Sequence, residues 1–172
     1  MLDDLKQATF DPRTHEGIGV ELCMAANRLL SLLHLLTNDP VLLAMIRRLT
    51  GCDAVRCFTG RVYRMLPSSA HYDSWHDDIN ADEGRILGMS VNLSPVRFAG
   101  GAFELRGRES KNMVYRHENT GPGDALIFRL SPRLQHRVTD VVGDVPKTAF
   151  AGWFRSEPDD YRVLLADSVD GE

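Results

Sequence analysis

Short apolar runs separated by turn residues fill the chain from Ala54 onwards, and this alternation constrains the fold more than any other feature. The breaks are Pro67-Ser68-Ser69, Ser94-Pro95, Gly100-Gly101 and Gly121-Pro122-Gly123-Asp124. Runs between them, such as RILGMSVNL at 85–93, have the length and apolar character of strands. About eight short strands at such close spacing are typical of a β-sandwich or a jelly roll.

The first third of the chain has a helical pattern instead. Its apolar residues fall near helical spacing and predict a helix from 19 to 37: Val20, Met24, Leu29, Leu30, Leu33 and Leu36. A second helix is predicted to begin after Asp39 as its N-cap, with Pro40 at its first position, and to end at Gly51. We therefore expect a mostly β fold with flanking helices. Its core would be a double-stranded β-helix (a cupin-like jelly roll), with the N-terminal helices packed on one sheet.

The length of 172 residues suits one domain, and no linker divides the chain. We predict a single domain over 1–172, with the two helices at about 19–50, the jelly-roll core at about 54–156 and an acidic tail at 157–172. Residues 1–17 are polar and mixed, and are predicted to form an arm or a first edge strand.

Composition excludes several classes of protein. The formal net charge of −4 gives nucleic-acid binding no electrostatic support. The start, MLDDLKQATF, lacks the basic and apolar regions of a signal peptide, and no apolar run is long enough to span a membrane. The three cysteines, without CxxC spacing, argue against a disulfide framework or a zinc knot, so a cytoplasmic location is expected. The sequence carries no indication of oligomeric state.

Residues 71–78, HYDSWHDD, contain the pattern His-x-Asp twice. One pair is His71 with Asp73, and the other is His76 with Asp78. Side chains two positions apart on a strand point to the same side, so either pair could bind one metal ion. Non-haem Fe(II) oxygenases bind iron with two histidines and one carboxylate.

The third ligand of such a site would come from a distant strand. Only His117 and His136 lie downstream of the two pairs. His136 begins a strand pattern in LQHRVTDV, whereas His117 precedes a turn. Because a strand holds a ligand more rigidly than a loop does, we favour His136.

Six segments follow one another in a characteristic order along the chain. They are WHDD (75–78), RILGMSVNLS (85–94), GGAFEL (100–105), PGDALIF (122–128), His136-x-Val138, and Lys147 followed six positions later by Trp153-Phe154. This order resembles that of the iron(II)- and 2-oxoglutarate-dependent oxygenases, near the prolyl-4-hydroxylase-like branch. The resemblance covers about residues 40 to 156.

The resemblance separates the two His-x-Asp pairs. In the family a proline-containing turn precedes the metal pair and an arginine-led strand follows it, and Pro67 and Arg85 frame His76 and Asp78 at suitable distances. It implies that His76, Asp78 and His136 are the catalytic metal ligands for Fe(II). The earlier pair would then lie at the rim of the site or face solvent.

The resemblance also implies a binding site for 2-oxoglutarate, whose far carboxylate needs a fixed cation. Lys147, eleven residues after His136, matches that position, where many relatives have arginine. A lysine offers a point charge rather than a two-pronged fork, so a neighbouring hydroxyl would help. The family often has a tyrosine just before the proline turn, and Tyr63 and Tyr72 are both open alternatives for that role.

The implied reaction consumes O₂ and 2-oxoglutarate, releases succinate and CO₂, and hydroxylates an unactivated C–H bond, with ascorbate as a candidate reductant. The related halogenases lack the metal-binding carboxylate, so Asp78 favours hydroxylation. A small molecule, or an amino-acid or peptidyl side chain, is the expected substrate, and no nucleic-acid or membrane partner is expected. The alternatives are a catalytically silent cupin-like binding module and a non-haem metal enzyme that does not use 2-oxoglutarate.

Loop and strand positions suggest which residues contact the substrate. Trp75, Asp77 and Asn80 flank the metal pair. Arg133 lies in the loop before His136, and Asn92 lies on the strand after the metal pair, where it could point towards the iron.

Overall fold

The structure is a computed structural model that describes residues 2–15, 19–79, 84–118 and 121–157, and antiparallel strands outweigh helices in it. The helices are α1 (Leu2–Gln7), α2 (Arg28–Thr37) and α3 (Pro40–Thr50). The strands are β1 (Phe10–His15), β2 (Gly19–Met24), β3 (Cys57–Met65), β4 (Arg85–Asn92), β5 (Ala99–Gly100), β6 (Phe103–Gly107), β7 (Met113–His117), β8 (Ala125–Arg129), β9 (Leu134–Val138), β10 (Val141–Val142) and β11 (Lys147–Arg155).

Two sheets face each other. The larger has the strand order β1-β2-β3-β11-β4-β8 and the smaller has the order β7-β6-β9, while β5 and β10 form a short separate pair. His76 extends the smaller sheet, because its backbone N–H donates to His136 O at 3.1 Å and its carbonyl oxygen accepts from His136 N at 2.9 Å. The predicted double-stranded β-helix is confirmed.

The core lies on one face of the larger sheet, under the helices. Phe58, Phe150 and Phe154 are at most 1% exposed, and Phe58 contacts the other two rings with centroids 5.3 and 4.9 Å apart. Leu33 of α2 and Ile46 of α3 belong to the same cluster. Each such side chain contributes about 1.5–3 kcal/mol by leaving water. The N-terminal helices therefore pack on one sheet, as predicted.

Capping residues fix where the two longer helices begin and end. Asp39 accepts from Val41 N at 2.8 Å and from Leu42 N at 3.2 Å, and Gly51 ends α3 with a φ of 65° that favours glycine. Asn38, after α2, donates to Phe58 O at 2.9 Å and accepts from Phe58 N at 2.8 Å. This carboxamide ties the end of α2 to β3.

The predicted start of the first long helix is wrong. Residues 19–24 form β2, and α2 begins only at Arg28, after the N-cap Asn27. Val20 and Met24 fit a period of two as well as a helical period, and pairing with β1 along its length selects the strand. Within 1–17, β1 agrees with the predicted edge strand, whereas α1 was not predicted. Most of the predicted tail, from 158 to 172, lies outside the described residues.

Helices α2 and α3 also expose apolar side chains. Six of them are at least 42% exposed: Leu32, Leu35, Leu36, Val41, Met45 and Leu49. Within the described ranges, no helix taken singly has the length and apolarity to cross a bilayer. The two helices reach that length and composition only as a pair, bent by 54° at their junction.

Candidate active site

A cavity of about 430 Å³ lies between the larger and the smaller sheet. Strand β11 supplies much of its floor, because alternate residues of a strand point to opposite faces. Lys147, Ala151 and Trp153 line the cavity, while Phe150 and Phe154 point into the core on the other side. The packing that buries the phenylalanines thus fixes where the polar side chains of the same strand point.

The three predicted metal ligands meet in this cavity. His76 Nε2 lies 3.8 Å from one carboxylate oxygen of Asp78, and His136 Nε2 lies 3.4 Å from the other. One ligand atom from each residue lies within 4.8 Å of the other two. The backbone pairing of His76 with His136 brings two segments sixty residues apart in the sequence to the same point.

Neighbouring groups orient these ligands. His76 Nδ1 lies 3.1 Å from Asp73 Oδ1 and 2.8 Å from Ser74 O, which leaves Nε2 directed towards Asp78. The other oxygen of Asp73 accepts from Val138 N at 2.7 Å. Trp153 Nε1 donates to Asp78 Oδ2 at 2.6 Å. Such contacts fix the rotamers and ring orientations on which metal affinity depends.

The charges of the site favour an ionised carboxylate between two imidazoles. Burial alone would raise the pKa of Asp78, but the hydrogen bonds and charges around it, those of His136 foremost, lower the pKa to about 2. Burial alone would lower the pKa of His76, but the hydrogen bond and charge of Asp73 outweigh it and raise the pKa to about 9.

This donor set fits a divalent iron ion. Bonds of roughly 2.0–2.2 Å from nitrogen and carboxylate oxygen place two ligand atoms at most about 4.4 Å apart around one ion. The two separations between a histidine nitrogen and an Asp78 oxygen, 3.8 and 3.4 Å, fall within that limit. Two imidazoles and one carboxylate form the facial triad of non-haem Fe(II) oxygenases, which leaves positions open for other ligands.

Lys147 lies at the opposite end of the cavity floor from Trp153. Its side chain is 2% exposed, and its ammonium group donates to Gly101 O at 3.1 Å. Burial lowers the pKa of Lys147 to about 8, although the charge of Asp73 opposes the shift. The side chain therefore offers a desolvated cation to whatever enters the cavity.

The two tyrosines considered as neighbours of Lys147 lie in different surroundings. Tyr63 of β3 is buried, lines the cavity and lies opposite Ala149, two residues along β11 from Lys147. Burial raises the pKa of its hydroxyl, so it stays protonated and can donate. Tyr72 is 46% exposed at the cavity mouth. The geometry favours Tyr63 for a role beside Lys147.

Two predicted substrate residues beside the metal ligands point away from the cavity. Trp75 packs against Arg106 and Arg137, whose guanidinium carbons lie 4.2 and 4.6 Å from its ring centroid. Asp77 forms an ion pair with Arg108. Neither residue is part of the cavity lining, because neighbours of an inward-facing ligand in an extended segment point outward.

Arg133 and Asn92 do not line the cavity either. Arg133 is exposed. Asn92 is 1% exposed, and its carboxamide donates to Gly121 O at 3.0 Å and accepts from Ser94 N at 2.8 Å. The expectation that Asn92 points towards the iron is therefore wrong, because backbone groups occupy its side chain. Asn80 lies outside the described residues.

The structure excludes one of the two positions predicted for the first His-x-Asp pair, the solvent-facing one, and places Asp73 in the cavity lining. His71 is buried, with 6% of its surface exposed, and the Asp73 carboxylate bonds His76 and Val138. Neither residue faces solvent. The spacing of three residues between Asp73 and His76 was visible in the sequence, but only the turn of the backbone between them shows that they meet.

Sequence reasoning missed further residues of the cavity. Trp153, interpreted as core, lines the cavity and contacts Asp78. Its even spacing from Lys147 on one strand was the available signal. Glu21, Arg61 and Arg85 line the cavity as well. The sequence used Arg85 only to frame the metal pair, and no pattern singled out Glu21 or Arg61, since the three residues come from strands that meet only in the folded sheet.

Comparison with solved structures shows the same fold in several bacterial and animal proteins. An oxidoreductase of the 2OG-Fe(II) oxygenase family from Burkholderia pseudomallei matches with a TM-score of 0.64 and 17% identity, over 91% of this chain and 77% of that one. A prolyl-4-hydroxylase from Pseudomonas putida matches with a TM-score of 0.62 and 16% identity, over 88% and 79%. A prolyl hydroxylase from Trichoplax adhaerens, solved with a peptide fragment of hypoxia inducible factor, matches with a TM-score of 0.54 and 17% identity, over 95% and 77%.

Comparison at the level of sequence gives the family itself. No curated protein matches the chain. The model of the 2OG-Fe(II) oxygenase superfamily matches residues 60–155, a range that contains the three predicted metal ligands, Lys147 and Trp153. That range exceeds half of the 172 residues. The chain therefore belongs to the 2OG-Fe(II) oxygenase superfamily.

Proposed function

We propose that this protein is an Fe(II)- and 2-oxoglutarate-dependent dioxygenase that hydroxylates an unactivated C–H bond of a small molecule or of an amino-acid or peptidyl side chain. One observation carries the proposal. A facial set of two histidines and one carboxylate shares a cavity with Lys147, a buried cation at the far end of the floor.

His76, Asp78 and His136 would hold the iron, which when bound supplies the redox chemistry that couples 2-oxoglutarate decarboxylation to substrate oxidation. Asp73, whose Oδ1 lies 3.1 Å from His76 Nδ1, positions His76 so that Nε2 is the ligand atom. Trp153 holds Asp78 in place through its indole N–H. These two residues act through the ligands and are positioning residues.

Lys147 would bind the far carboxylate of 2-oxoglutarate. In a buried site, a cation gains more from an anionic partner than it would in water. The hydroxyl of Tyr63, kept protonated by burial, would donate a hydrogen bond to the same carboxylate. The ammonium group already donates to Gly101 O, which orients it before 2-oxoglutarate arrives.

Anaerobic addition of 2-oxoglutarate to the Fe(II)-loaded protein tests the proposal. The chelate should produce the weak visible absorption band that is a trait of the family. His76→Ala should lose iron, while His71→Ala, the matched change in the other pair, should retain iron and the band. Absence of a band in the iron-loaded wild type would contradict the proposal. If His71→Ala loses iron while His76→Ala keeps it, the wrong His-x-Asp pair was assigned.

A second function is an oxidation by the same metal site without 2-oxoglutarate. The hydrogen bond from Lys147 to Gly101 O favours this second function, because it gives the lysine a structural role that needs no 2-oxoglutarate. Oxygen consumption that is independent of 2-oxoglutarate would support this second function. A silent binding module would show neither the band nor oxygen consumption.

A further inference from the structure

The segment that carries His76 has a short backbone contact with the strand that carries the second histidine. His76 pairs with His136 of β9 as an isolated bridge, through two backbone hydrogen bonds. The imidazole rings of the two residues lie close together on the cavity side, with centroids 4.3 Å apart. Because one bridge fixes only one point of the segment, the spacing of the two histidines also depends on side-chain contacts around them.

Trp75, the residue before His76, supplies such contacts on the outer face of the smaller sheet. His76 lines the cavity, whereas Trp75 does not. The half-buried indole packs against Arg106, whose guanidinium carbon lies 4.2 Å from its ring centroid, and against Arg137, at 4.6 Å. Arg137 directly follows His136 on β9, so the two side chains point to opposite faces of the sheet. Neighbours of the two histidines therefore meet on the outer face, behind the imidazoles.

Both arginines are held in place by residues opposite them in the sheet. Glu104 of β6 is 4% exposed and lies opposite Arg137, whose Nε donates to the carboxylate at 2.7 Å. Arg106 lies opposite Gln135, and its guanidinium donates to the side-chain oxygen of Gln135 at 2.9 and 3.2 Å. Gln135 and Arg137 flank His136 on β9. The surface on which the indole packs is therefore fixed to the strand of the second histidine.

The other neighbour of His76 is anchored differently. Asp77 forms an ion pair with Arg108, which lies just beyond the end of β6 and not on β9. That ion pair does not join the segment of His76 to the residues that flank His136. We therefore expect Asp77 to have no equivalent effect on the spacing of the two histidines.

We propose that Trp75 is a positioning residue for the metal site, which acts through His76 by fixing the distance between the two histidines. The inference rests on the proposed function, because it takes His76, Asp78 and His136 as the ligands of Fe(II). Loss of a group that orients a metal ligand typically weakens metal binding by about 10–100-fold. Trp75 contacts the ligand only through the backbone, so its effect should lie near the lower limit, at about tenfold.

Anaerobic titration of the metal-free protein with Fe(II), in competition with a chromophoric chelator, tests this inference without turnover. Trp75→Leu removes the aromatic face and should weaken Fe(II) by about tenfold, whereas Trp75→Phe keeps such a face and should bind Fe(II) nearly as wild type does. Tyr115→Leu is the matched control, since this exposed aromatic residue of β7 lies outside the cavity lining. Urea denaturation of each metal-free protein is measured in parallel. A purely structural role would lower the free energy of unfolding and leave the Fe(II) affinity of the folded protein unchanged.

Arg106→Met decides the question if Trp75→Leu does not fold, because it removes one guanidinium group and leaves the indole in place. It should weaken Fe(II) in the same direction by a smaller factor. If wild type binds Fe(II) and the folded Trp75→Leu, or Arg106→Met in its stead, binds it equally well, the positioning role is wrong and the oxygenase function stands. The role is also wrong if Trp75→Phe or Tyr115→Leu loses as much affinity as Trp75→Leu. Absence of Fe(II) binding by wild type overturns the proposed function and this inference together.

Discussion

The two faces of β11 differ in what they contribute to the molecule. On one face, Phe150 and Phe154 are at most 1% exposed and join the core beneath the helices. On the other, Lys147 and Trp153 line the cavity, and Trp153 bonds a predicted metal ligand. A single strand therefore stabilises the fold with every second residue and builds the site with the others. Substitutions on the two faces should separate stability from binding.

The largest effect is expected on the core face. Phe154→Ala should lower the free energy of unfolding by about 3–5 kcal/mol, because it leaves a cavity among closely packed aromatic rings. Urea denaturation measures the loss. If the variant is as stable as wild type, the core does not depend on this face of β11.

On the cavity face, Lys147→Met should act on binding alone. Loss of a charged hydrogen bond of about 1.5–3 kcal/mol should weaken 2-oxoglutarate by roughly ten- to a hundredfold, as measured by titration of the visible band. The free energy of unfolding should not fall, because methionine replaces a buried ammonium group with an apolar side chain of similar shape. Lys111→Met, at an exposed lysine, is the control. An unchanged 2-oxoglutarate affinity would remove Lys147 from the site.

An effect of similar size, but on iron rather than on 2-oxoglutarate, is expected where a residue acts through a predicted metal ligand. Asp73→Asn should weaken iron binding by about 10–100-fold, because the carboxamide orients His76 less well than the carboxylate does. Asp77→Asn is the matched control, since Asp77 pairs with Arg108 outside the cavity. Iron retained per chain during dialysis against a chelator gives both values. Equal losses in the two variants would argue against a specific role of Asp73.

The smallest effect concerns pH. Burial lowers the pKa of Lys147 to about 8, so the ammonium is charged below that pH. A bound carboxylate favours the charged form and raises the pKa in the complex. Affinity for 2-oxoglutarate should therefore be constant below about pH 8 and fall by up to tenfold per unit above it. The decline should vanish in Lys147→Met, and a decline that persists there would assign the titration to another group.

Much of the fold follows from local signals. The caps at Asp39 and Gly51 place α3 correctly because they act within a few residues of themselves. The strand β2 was missed because its short apolar pattern fits two periods, and only its neighbours in the sheet decide between them. Local patterns cannot contain that information.

The site divides in the same way. His76, Asp78 and His136 could be predicted because their order and spacing are written in the sequence. The orienting role of Asp73 and the Arg61–Glu21 pair could not, since each depends on how segments cross in space. The prediction for Asn92 was wrong because Asn92 ends its strand, where backbone groups of nearby turns form hydrogen bonds with its side chain.

The most direct test is the stoichiometry of oxygen and 2-oxoglutarate consumption by the Fe(II)-loaded protein. The proposed function predicts that succinate forms in a one-to-one ratio to oxygen consumed, and that Lys147→Met loses most of this activity at limiting 2-oxoglutarate. Oxygen consumption without succinate, or no consumption of either by a protein that holds iron, would contradict it.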